Sequence, residues 1–173
     1  MSMTLTSAVA KKYMSAMFIE TGTAKGDGIQ LALDAGYPSI LSVDSDLDLF
    51  QKASERFRNT ANVTVAFGNS PDVLRQMLPN VKCHCTFWLD AHSITGSENP
   101  LLDELDVIAE QGIRTHNILI DDRRVMLSQW KITEHDIMSR LLRINARYQI
   151  RFEDSSIAEQ DIIAARVLGG IDG

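Results

Sequence analysis

The chain has 173 residues, of which 45% are hydrophobic and 23% charged, and its formal net charge is −6 at pH 7. This length suits a single domain, which we predict over residues 1–173 with residues 1–15 as a short N-terminal extension. The negative charge argues against nucleic acid as a partner. No apolar run approaches the roughly 18 residues of a membrane span, and residues 1–12 are unlike a signal peptide. We therefore expect no membrane partner.

The two cysteines, Cys83 and Cys85, lie on a predicted strand, where they are poorly placed to form a disulfide. With His84 they form a Cys-His-Cys sequence, but three residues of one strand do not converge on a metal ion. Because free thiols persist in reducing compartments, we expect a cytoplasmic protein.

An N-terminal helix is predicted at residues 5–14 and the first strand at residues 16–19, with Glu20 at the strand end. Three glycines follow within seven residues, and apolar spacing typical of a helix then begins at Ile29. Such a turn suits a nucleotide-type ligand, because glycines let the backbone approach closely and the helix N-terminus offers free amides. The alternative is a turn that binds no ligand.

Strands and helices alternate along the rest of the chain. Further strands are predicted at residues 39–44, 62–67, 84–90 and 116–121. A helix is predicted after each strand, and Ser70 and Asn99, each followed by proline, mark two helix starts. Residues 91–98 are predicted as a loop and residues 123–131 as irregular.

The end of the chain departs from this alternation. Thr133 and Asp136 resemble a capping box and predict the last helix. A half-exposed strand is predicted at residues 148–152, and another apolar run covers residues 162–168. Only about eight residues separate the two, too few for a crossover helix, so the last two strands are predicted to pair antiparallel. The pattern predicts an α/β fold with seven strands and helices on both faces of the sheet.

Polar residues stand at the carboxyl ends of the predicted strands, where open α/β sheets bind their ligands. They are Glu20, Asp44, Asn69, Asp90, Asp121 and Asp122. Asp44 lies about twenty residues beyond the glycine turn, where a carboxylate accepts both hydroxyls of a ribose. The alternative role for Asp44 is an N-cap of the next helix.

The glycine spacing, Glu20-x-Gly22-x-x-x-Gly26-x-Gly28, fits neither the dinucleotide nor the phosphate-loop motif. It resembles motif I of the class I S-adenosylmethionine (SAM) methyltransferases. The segment 68–70, Gly-Asn-Ser, is similar to that family's motif after strand three, usually Gly-Asp-Ser, which contacts adenine. An asparagine amide still bonds the adenine amino group through its oxygen. The alternative for Ser70 is a helix cap alone.

This resemblance implies a Rossmann-like, seven-stranded sheet of order 3-2-1-4-5-7-6 whose last strand is antiparallel. It also implies SAM as the cofactor. The residues implied to bind it are Glu20, Thr21, Gly22, Thr23, Gly26, Asp27, Asp44, Ser45, Asn69, Ser70 and Asp90.

Residues 88–92 and 119–122 resemble the corresponding segments of catechol-type and macrocin-type O-methyltransferases, which bind a divalent cation such as Mg²⁺. The resemblance implies Asp90, Asp121 and Asp122 as metal ligands. A hard cation held by oxygen ligands lowers the pKa of a hydroxyl group and orients it for methyl transfer. The alternative is that Asp121 or Asp122 pairs with the arginines at positions 123 and 124.

Two departures from that metal-dependent group stand out. Ser93 replaces a common lysine, which leaves His92 as the nearest candidate base, unless its ring is simply exposed to solvent. The N-terminal extension is also short, so the cover over the substrate would be small, come from a partner subunit or be supplied by residues 91–99 and 123–131. Arginines and Trp130 in the second loop would suit an acidic or ring-bearing substrate, although a solvated loop explains them equally well.

The sequence therefore predicts a SAM-dependent methyltransferase (EC 2.1.1 type) acting on a small-molecule hydroxyl, with Asp90 and His92 catalytic and metal assistance optional. The sequence is compatible with a homo-oligomer. One alternative is a nicotinamide-dependent oxidoreductase, which accounts for the turn and Asp44 but not for the glycine spacing or the terminal hairpin. The other is an inactive binding module with the methyltransferase fold.

Overall fold

The computed structural model describes residues 3–92 and 99–168, so the predicted loop at 91–98 lies outside it from Ser93 onwards. The strands are β1 Met17–Thr21, β2 Ile40–Asp44, β3 Val63–Phe67, β4 Cys85–Leu89, β5 Asn117–Ile120, β6 Tyr148–Glu153 and β7 Ile162–Val167. They form one sheet of order β3-β2-β1-β4-β5-β7-β6. The first five strands are parallel, and β7 runs antiparallel to both neighbours. The predicted strand order and hairpin are confirmed.

Six α-helices are described, namely α1 Ser7–Lys12, α2 Asp27–Ala35, α3 Leu47–Phe57, α4 Ser70–Met77, α5 Leu101–Ala109 and α6 Glu134–Ile144. The capping box at the start of α6 is confirmed. The prediction of Ser70 as a helix cap is wrong, because Asn69 occupies the N-cap position and Ser70 begins the helix. Residues 123–131 are also less irregular than predicted, since Met126–Trp130 forms a π-helical turn.

The helices cover both faces of the sheet, as predicted. Because successive strand residues point to opposite faces, Phe18 packs in a cluster with α1 and α2, whereas Ile19 packs in a cluster with α4, α5 and α6. None of the described helices has the length and apolar character needed to cross a membrane. Cys83 and Cys85 are both free thiols.

The N-terminal segment packs against the sheet and against the β6–β7 hairpin. The Lys12 ammonium lies 2.6 Å from a carboxylate oxygen of Glu153, and the Tyr13 hydroxyl donates to the same oxygen at 2.7 Å. Further upstream, the backbone carbonyl of Thr4 accepts the Ser156 amide at 2.8 Å. These bonds bring the first described residues close to the connection between β6 and β7, which lies beside the carboxyl end of β5.

Candidate functional site

Backbone hydrogen bonds join the carboxyl ends of β1, β4 and β5 at one edge of the sheet. The Asp90 amide donates to the Thr21 carbonyl at 3.2 Å, and the Asp121 amide donates to the Leu89 carbonyl at 3.1 Å. On the other side of β1, the Gly22 amide donates to Val43 of β2 at 2.8 Å. The structure therefore places the glycine turn between the acidic ends of its neighbouring strands.

The glycine turn requires glycine at two positions. Gly22 has φ +86°, and a Cβ atom there would lie 2.6 Å from the Asp90 carbonyl oxygen. Gly26 has φ +80°, and a Cβ atom there would lie 2.6 Å from the ring of Phe57. Residues other than glycine rarely adopt a backbone conformation with such a positive φ. At these two positions there is also no space for a Cβ atom. The turn is therefore held tightly against β4 and α3.

Glu20 supports the turn from inside the protein. Its side chain accepts a hydrogen bond of 2.5 Å from Ser42, and the Ser42 and Thr23 hydroxyls lie 2.6 Å apart. Since Ser42 gives its only proton to Glu20, Thr23 must donate to Ser42. Burial raises the pKa of Glu20 to about 8, against the lowering effect of the Ser42 bond. A Cβ atom on Gly28 would overlap Oε1 of Glu20.

Asp44 fastens the turn to β2. One of its carboxylate oxygens accepts the Ala24 amide and the other accepts the Asp46 amide, both at 2.8 Å. The alternative of Asp44 as the helix cap is wrong, because Asp46 caps α3 by accepting from two of its backbone amides. Each oxygen of Asp44 retains one free lone pair, so the group keeps the capacity to accept ligand hydroxyls.

The remaining predicted cofactor residues differ in exposure. Thr21 and Thr23 are buried, whereas Asp27, Ser45 and Asn69 are exposed at the same edge. Asp27 pairs with Arg56 at 2.9 Å. The structure leaves the Asn69 side chain without a capping bond.

Glu104 is a site residue that the sequence interpretation missed. It is fully buried in the first turns of α5, where one carboxylate oxygen accepts the Ser70 hydroxyl. The other oxygen, Oε2, and the buried Thr21 hydroxyl have no hydrogen-bond partner of suitable geometry among the described residues. Burial raises the pKa of Glu104 to about 7. Its position three residues after Leu101 and four before Ile108 places it on the inner face, which is the signal available in the sequence.

His92 is also buried, so the alternative of a solvent-exposed ring is wrong. Its side chain is 8% exposed, with Nε2 3.2 Å from Oδ2 of Asp122 and 3.7 Å from Oδ1 of Asp90. The ring lies 5.0 Å from that of Trp130. A neutral imidazole carries one N–H, and two carboxylates beside Nε2 favour it there. That tautomer leaves Nδ1 as a free acceptor, and Nδ1 has no partner in the described part of the chain.

Asp122 pairs with Arg124, as one alternative predicted. Its Oδ1 lies 2.8 Å from the Arg124 guanidinium, which also binds the buried Asp161. Burial alone would raise the pKa of Asp122, but the His92 hydrogen bond and the Arg124 charge outweigh it and lower the pKa. Asp122 adopts φ +61°, a left-handed conformation that turns the chain at this point.

Asp121 and the other arginine take different partners. The Thr4 hydroxyl donates to Oδ2 of Asp121, whereas Oδ1 is buried without a partner among residues 3–92 and 99–168. Burial raises the pKa of Asp121 to about 6. Arg123 lies 2.7 Å from Glu134 and 4.0 Å above the Phe152 ring. Both arginines are thus engaged by acids, and the suggestion that they attract an acidic substrate loses its support.

A small cavity of about 10 Å³ lies among these side chains, roughly the room for one water molecule. Its polar and aromatic lining includes Asp90, His92, Glu104, Asp121, Asp122 and Trp130. The pKa of Asp90 is raised well above its ordinary value, chiefly by burial and then by the charges of Asp121 and Asp122. The cavity therefore concentrates acidic groups away from water.

Two groups of described side chains could hold a metal ion, and each contains two of the three predicted ligands Asp90, Asp121 and Asp122. Among the described residues, Asp90, His92 and Asp122 bring three ligand atoms within 4.8 Å of one another, as do Asp121, Asp122 and Asp161. In the second group, Asp161 already binds Arg124 and Ser155. In the first, a histidine nitrogen joins two carboxylates, a set that suits Mn²⁺ or Zn²⁺ better than Mg²⁺. The residues thus fit a divalent cation, with His92 in place of Asp121.

Comparison with known proteins finds similarity in structure but not in sequence. No protein-family model matches the sequence, and no curated protein is significantly similar to it. A methyltransferase from Podospora anserina, PaMTH1, bound to S-adenosylhomocysteine (SAH), is 12% identical with a TM-score of 0.64, covering 94% of this chain and 76% of that chain.

Two further structures are O-methyltransferases. TomG from Streptomyces achromogenes, involved in tomaymycin synthesis and bound to SAM, is 12% identical with a TM-score of 0.64, over 94% of this chain and 78% of that chain. The Bacillus cereus enzyme in complex with SAH is 13% identical with a TM-score of 0.65, over 93% and 78%. At such low identity the likeness concerns the fold, and this chain has the fold of the class I SAM-dependent methyltransferases.

Proposed function

We propose that this protein is a SAM-dependent methyltransferase that methylates a hydroxyl group of a small molecule. The observation that carries the proposal is the junction of the glycine turn with the buried acid–histidine group. Gly22 packs on the backbone of Asp90, and Asp90 in turn neighbours His92. Structural relatives with the same fold bind SAM or SAH, which supports this choice of cofactor.

The glycine turn has the features that a SAM site needs. Gly22, Thr23 and Gly26 form a close-packed loop for the methionine part, and positive φ angles at both glycines prevent side chains from filling it. Asp44 retains acceptor sites for ribose hydroxyls. The exposed Asn69 amide would meet the adenine edge. When bound, SAM supplies an electrophilic methyl group on a sulfonium.

Ser70 and Glu20 play indirect parts in this proposal. The Ser70 hydroxyl is already donated to Glu104, and Glu20 is covered by Ser42 and the first turn of α2. Both residues shape the floor of the site and do not meet the ligand. Both residues belong to the sequence motifs, but a motif does not show whether a residue contacts the ligand or is buried beneath the residues that do.

His92 is the proposed proton acceptor. Asp122 binds Nε2 and so orients the ring, which leaves Nδ1 free to take the proton of the acceptor hydroxyl. Asp90 holds the hydroxyl beside the ring. Because methyl transfer from a sulfonium neutralises charge, such positioning should matter more than electrostatic stabilisation.

A metal ion is the second way to activate the hydroxyl. Asp90, His92 and Asp122 would hold it, and it would lower the pKa of the hydroxyl as a Lewis acid. The two roles of His92 are exclusive at Nε2, because a nitrogen that binds a cation cannot also donate to Asp122. We place the proton-acceptor role first, since Asp122 is already neutralised by Arg124.

The test is transfer of a tritiated methyl group from SAM to a panel of phenols, alcohols and amines by the purified chain. We expect label in at least one hydroxyl compound, with loss of activity in Gly22→Ala and normal activity in Gly112→Ala, where a Cβ atom meets nothing within 4 Å. SAH binding without turnover across the panel would favour the inactive binding module. Binding of NAD instead of SAH would favour the oxidoreductase.

A further inference from the structure

Glu104 lies where three segments of the chain meet. It is fully buried in the first turns of α5, and one of its carboxylate oxygens accepts the hydroxyl proton of Ser70, the first residue of α4. Burial raises the pKa of Glu104 to about 7, and hydrogen bonding from the Ser70 and Thr21 hydroxyls opposes that rise. The Thr21 hydroxyl, at the end of β1, is thus close to the carboxyl group, although the two are not aligned as a normal hydrogen bond. One side chain therefore contacts both α4 and β1.

Both hydroxyl residues adjoin segments of the proposed SAM site. Thr21 directly precedes Gly22 in the glycine turn, and Ser70 directly follows Asn69, the residue proposed to meet the adenine edge. Both side chains are buried, so neither hydroxyl lies open to a ligand. Whatever Glu104 contributes to the site is therefore transmitted through the backbone to which these two residues belong.

No other side-chain hydrogen bond fixes the start of α4 in the described part of the chain. Asn69 makes no capping bond to the helix, and Pro71 has no backbone amide proton to donate. Within residues 68–71, only the Ser70 side chain makes a hydrogen bond to another described residue. Because Glu104 is fully buried, water does not compete for that bond. The bond therefore holds Asn69 in place relative to the end of β1.

We propose that Glu104 is a positioning residue for the cofactor, because its bond to Ser70 holds the start of α4, and with it Asn69, where the adenine of SAM binds. Glu104 itself does not touch the ligand. If the segment leaves this geometry for part of the time, the apparent affinity falls in proportion to the fraction of molecules that stay competent. This inference rests on the proposed function and adds to it a residue that belongs to none of the motifs in the sequence.

The test measures the affinity for SAH by isothermal titration of the full chain. Glu104→Met keeps an unbranched side chain and removes the acceptor for Ser70. We expect its SAH affinity to be about tenfold weaker than that of the wild type, since a hydrogen bond to a charged group is worth this much. Glu104→Gln retains an acceptor oxygen for Ser70, so it should bind SAH nearly as well as the wild type.

Ser70→Ala removes the donor of the same bond. It should weaken SAH binding to a similar degree in the wild-type chain and cause no further loss in Glu104→Met, because the bond is already absent there. Thr86→Val is the matched control. It removes another buried hydroxyl, at the amino end of β4, which donates to the Tyr13 carbonyl, and it should leave SAH affinity unchanged. Urea unfolding of each variant without ligand measures the accompanying change in stability.

Each outcome decides the inference. Unchanged SAH affinity in Ser70→Ala or Glu104→Met would overturn it, as would additive losses in the double variant or an equal loss in Glu104→Gln. A similar loss in Thr86→Val would overturn it too, because affinity would then follow the general stability of the chain. If Glu104→Met does not fold, the comparison of Ser70→Ala with Thr86→Val decides alone. A wild-type chain that does not bind SAH would instead refute the proposed function.

Discussion

Nε2 of His92 lies 3.2 Å from Oδ2 of Asp122, although the two residues are 30 positions apart in the chain. The contact forms because β4 and β5 are parallel neighbours in the sheet, so the residues that follow their carboxyl ends lie close together. It orients the ring and favours the tautomer whose N–H is on Nε2, which leaves Nδ1 as the proposed proton acceptor.

Removing the imidazole should therefore slow methyl transfer without preventing cofactor binding. We expect His92→Ala to lower kcat by about 10²- to 10⁴-fold, the usual contribution of a general base. SAH affinity should be unchanged, because the polar neighbours of the ring are Asp90 and Asp122, which lie outside the glycine turn. His135→Ala, at an exposed position of α6, is the control and should keep full activity. Unchanged kcat in His92→Ala would rule out the role.

Chelation separates the two ways of activating the hydroxyl. We expect turnover to survive dialysis against EDTA, because the Asp122 carboxylate is bonded by both Arg124 and His92. The measurement is the methyl-transfer rate before and after dialysis, with metal content checked by mass spectrometry. Loss of the rate on dialysis and its return with Mn²⁺ would contradict this expectation and favour the cation.

The pH dependence of stability should report the buried Glu20. Its pKa is about 8 in the folded chain, mainly through burial, against an ordinary value of 4.5. Between these values the folded state holds a proton that the unfolded state has lost, so the group lowers stability as pH rises through this window. Glu20→Gln cannot titrate, and its stability relative to wild type should increase from pH 5 to pH 8. Urea unfolding at both pH values measures this. A constant difference would show that Glu20 ionises normally.

The contact of Glu20 with Gly28 gives a prediction about the turn itself. Gly28→Ala should destabilise the protein by about 1–3 kcal/mol, the typical result of overpacking, because the new Cβ atom overlaps the Glu20 carboxylate. The double variant with Glu20→Ala should relieve part of that loss, and chemical denaturation of all four proteins measures the coupling. Additive losses would mean that the two residues do not meet.

Much of the fold follows from features that are local in sequence. The short connection before residue 162 precludes a crossover helix, which fixes an antiparallel end to the sheet. The acids after each strand are likewise visible, because strand ends can be read from apolar runs. The order of strands and helices along the chain can therefore be predicted from the apolar pattern and the loop lengths alone.

The side-chain partners at the site depend instead on distant segments. Thr4 reaches Asp121 because the N-terminal segment packs beside the hairpin, and Asp161, which immediately precedes β7, binds Arg124 across 37 positions of the chain. Glu104 lies within a helix whose apolar neighbours conceal it. None of these contacts produces a periodic pattern or a motif in the sequence. The sequence therefore shows where the acidic residues are but not which partners they bind.

The most direct test of the account is calorimetric titration of the purified chain with SAH and, separately, with NAD. The account predicts saturable, one-to-one binding of SAH, its loss in Gly22→Ala, whose Cβ atom would lie 2.6 Å from the Asp90 carbonyl oxygen, and no binding of NAD. Binding of NAD together with no measurable binding of SAH would contradict the central claim.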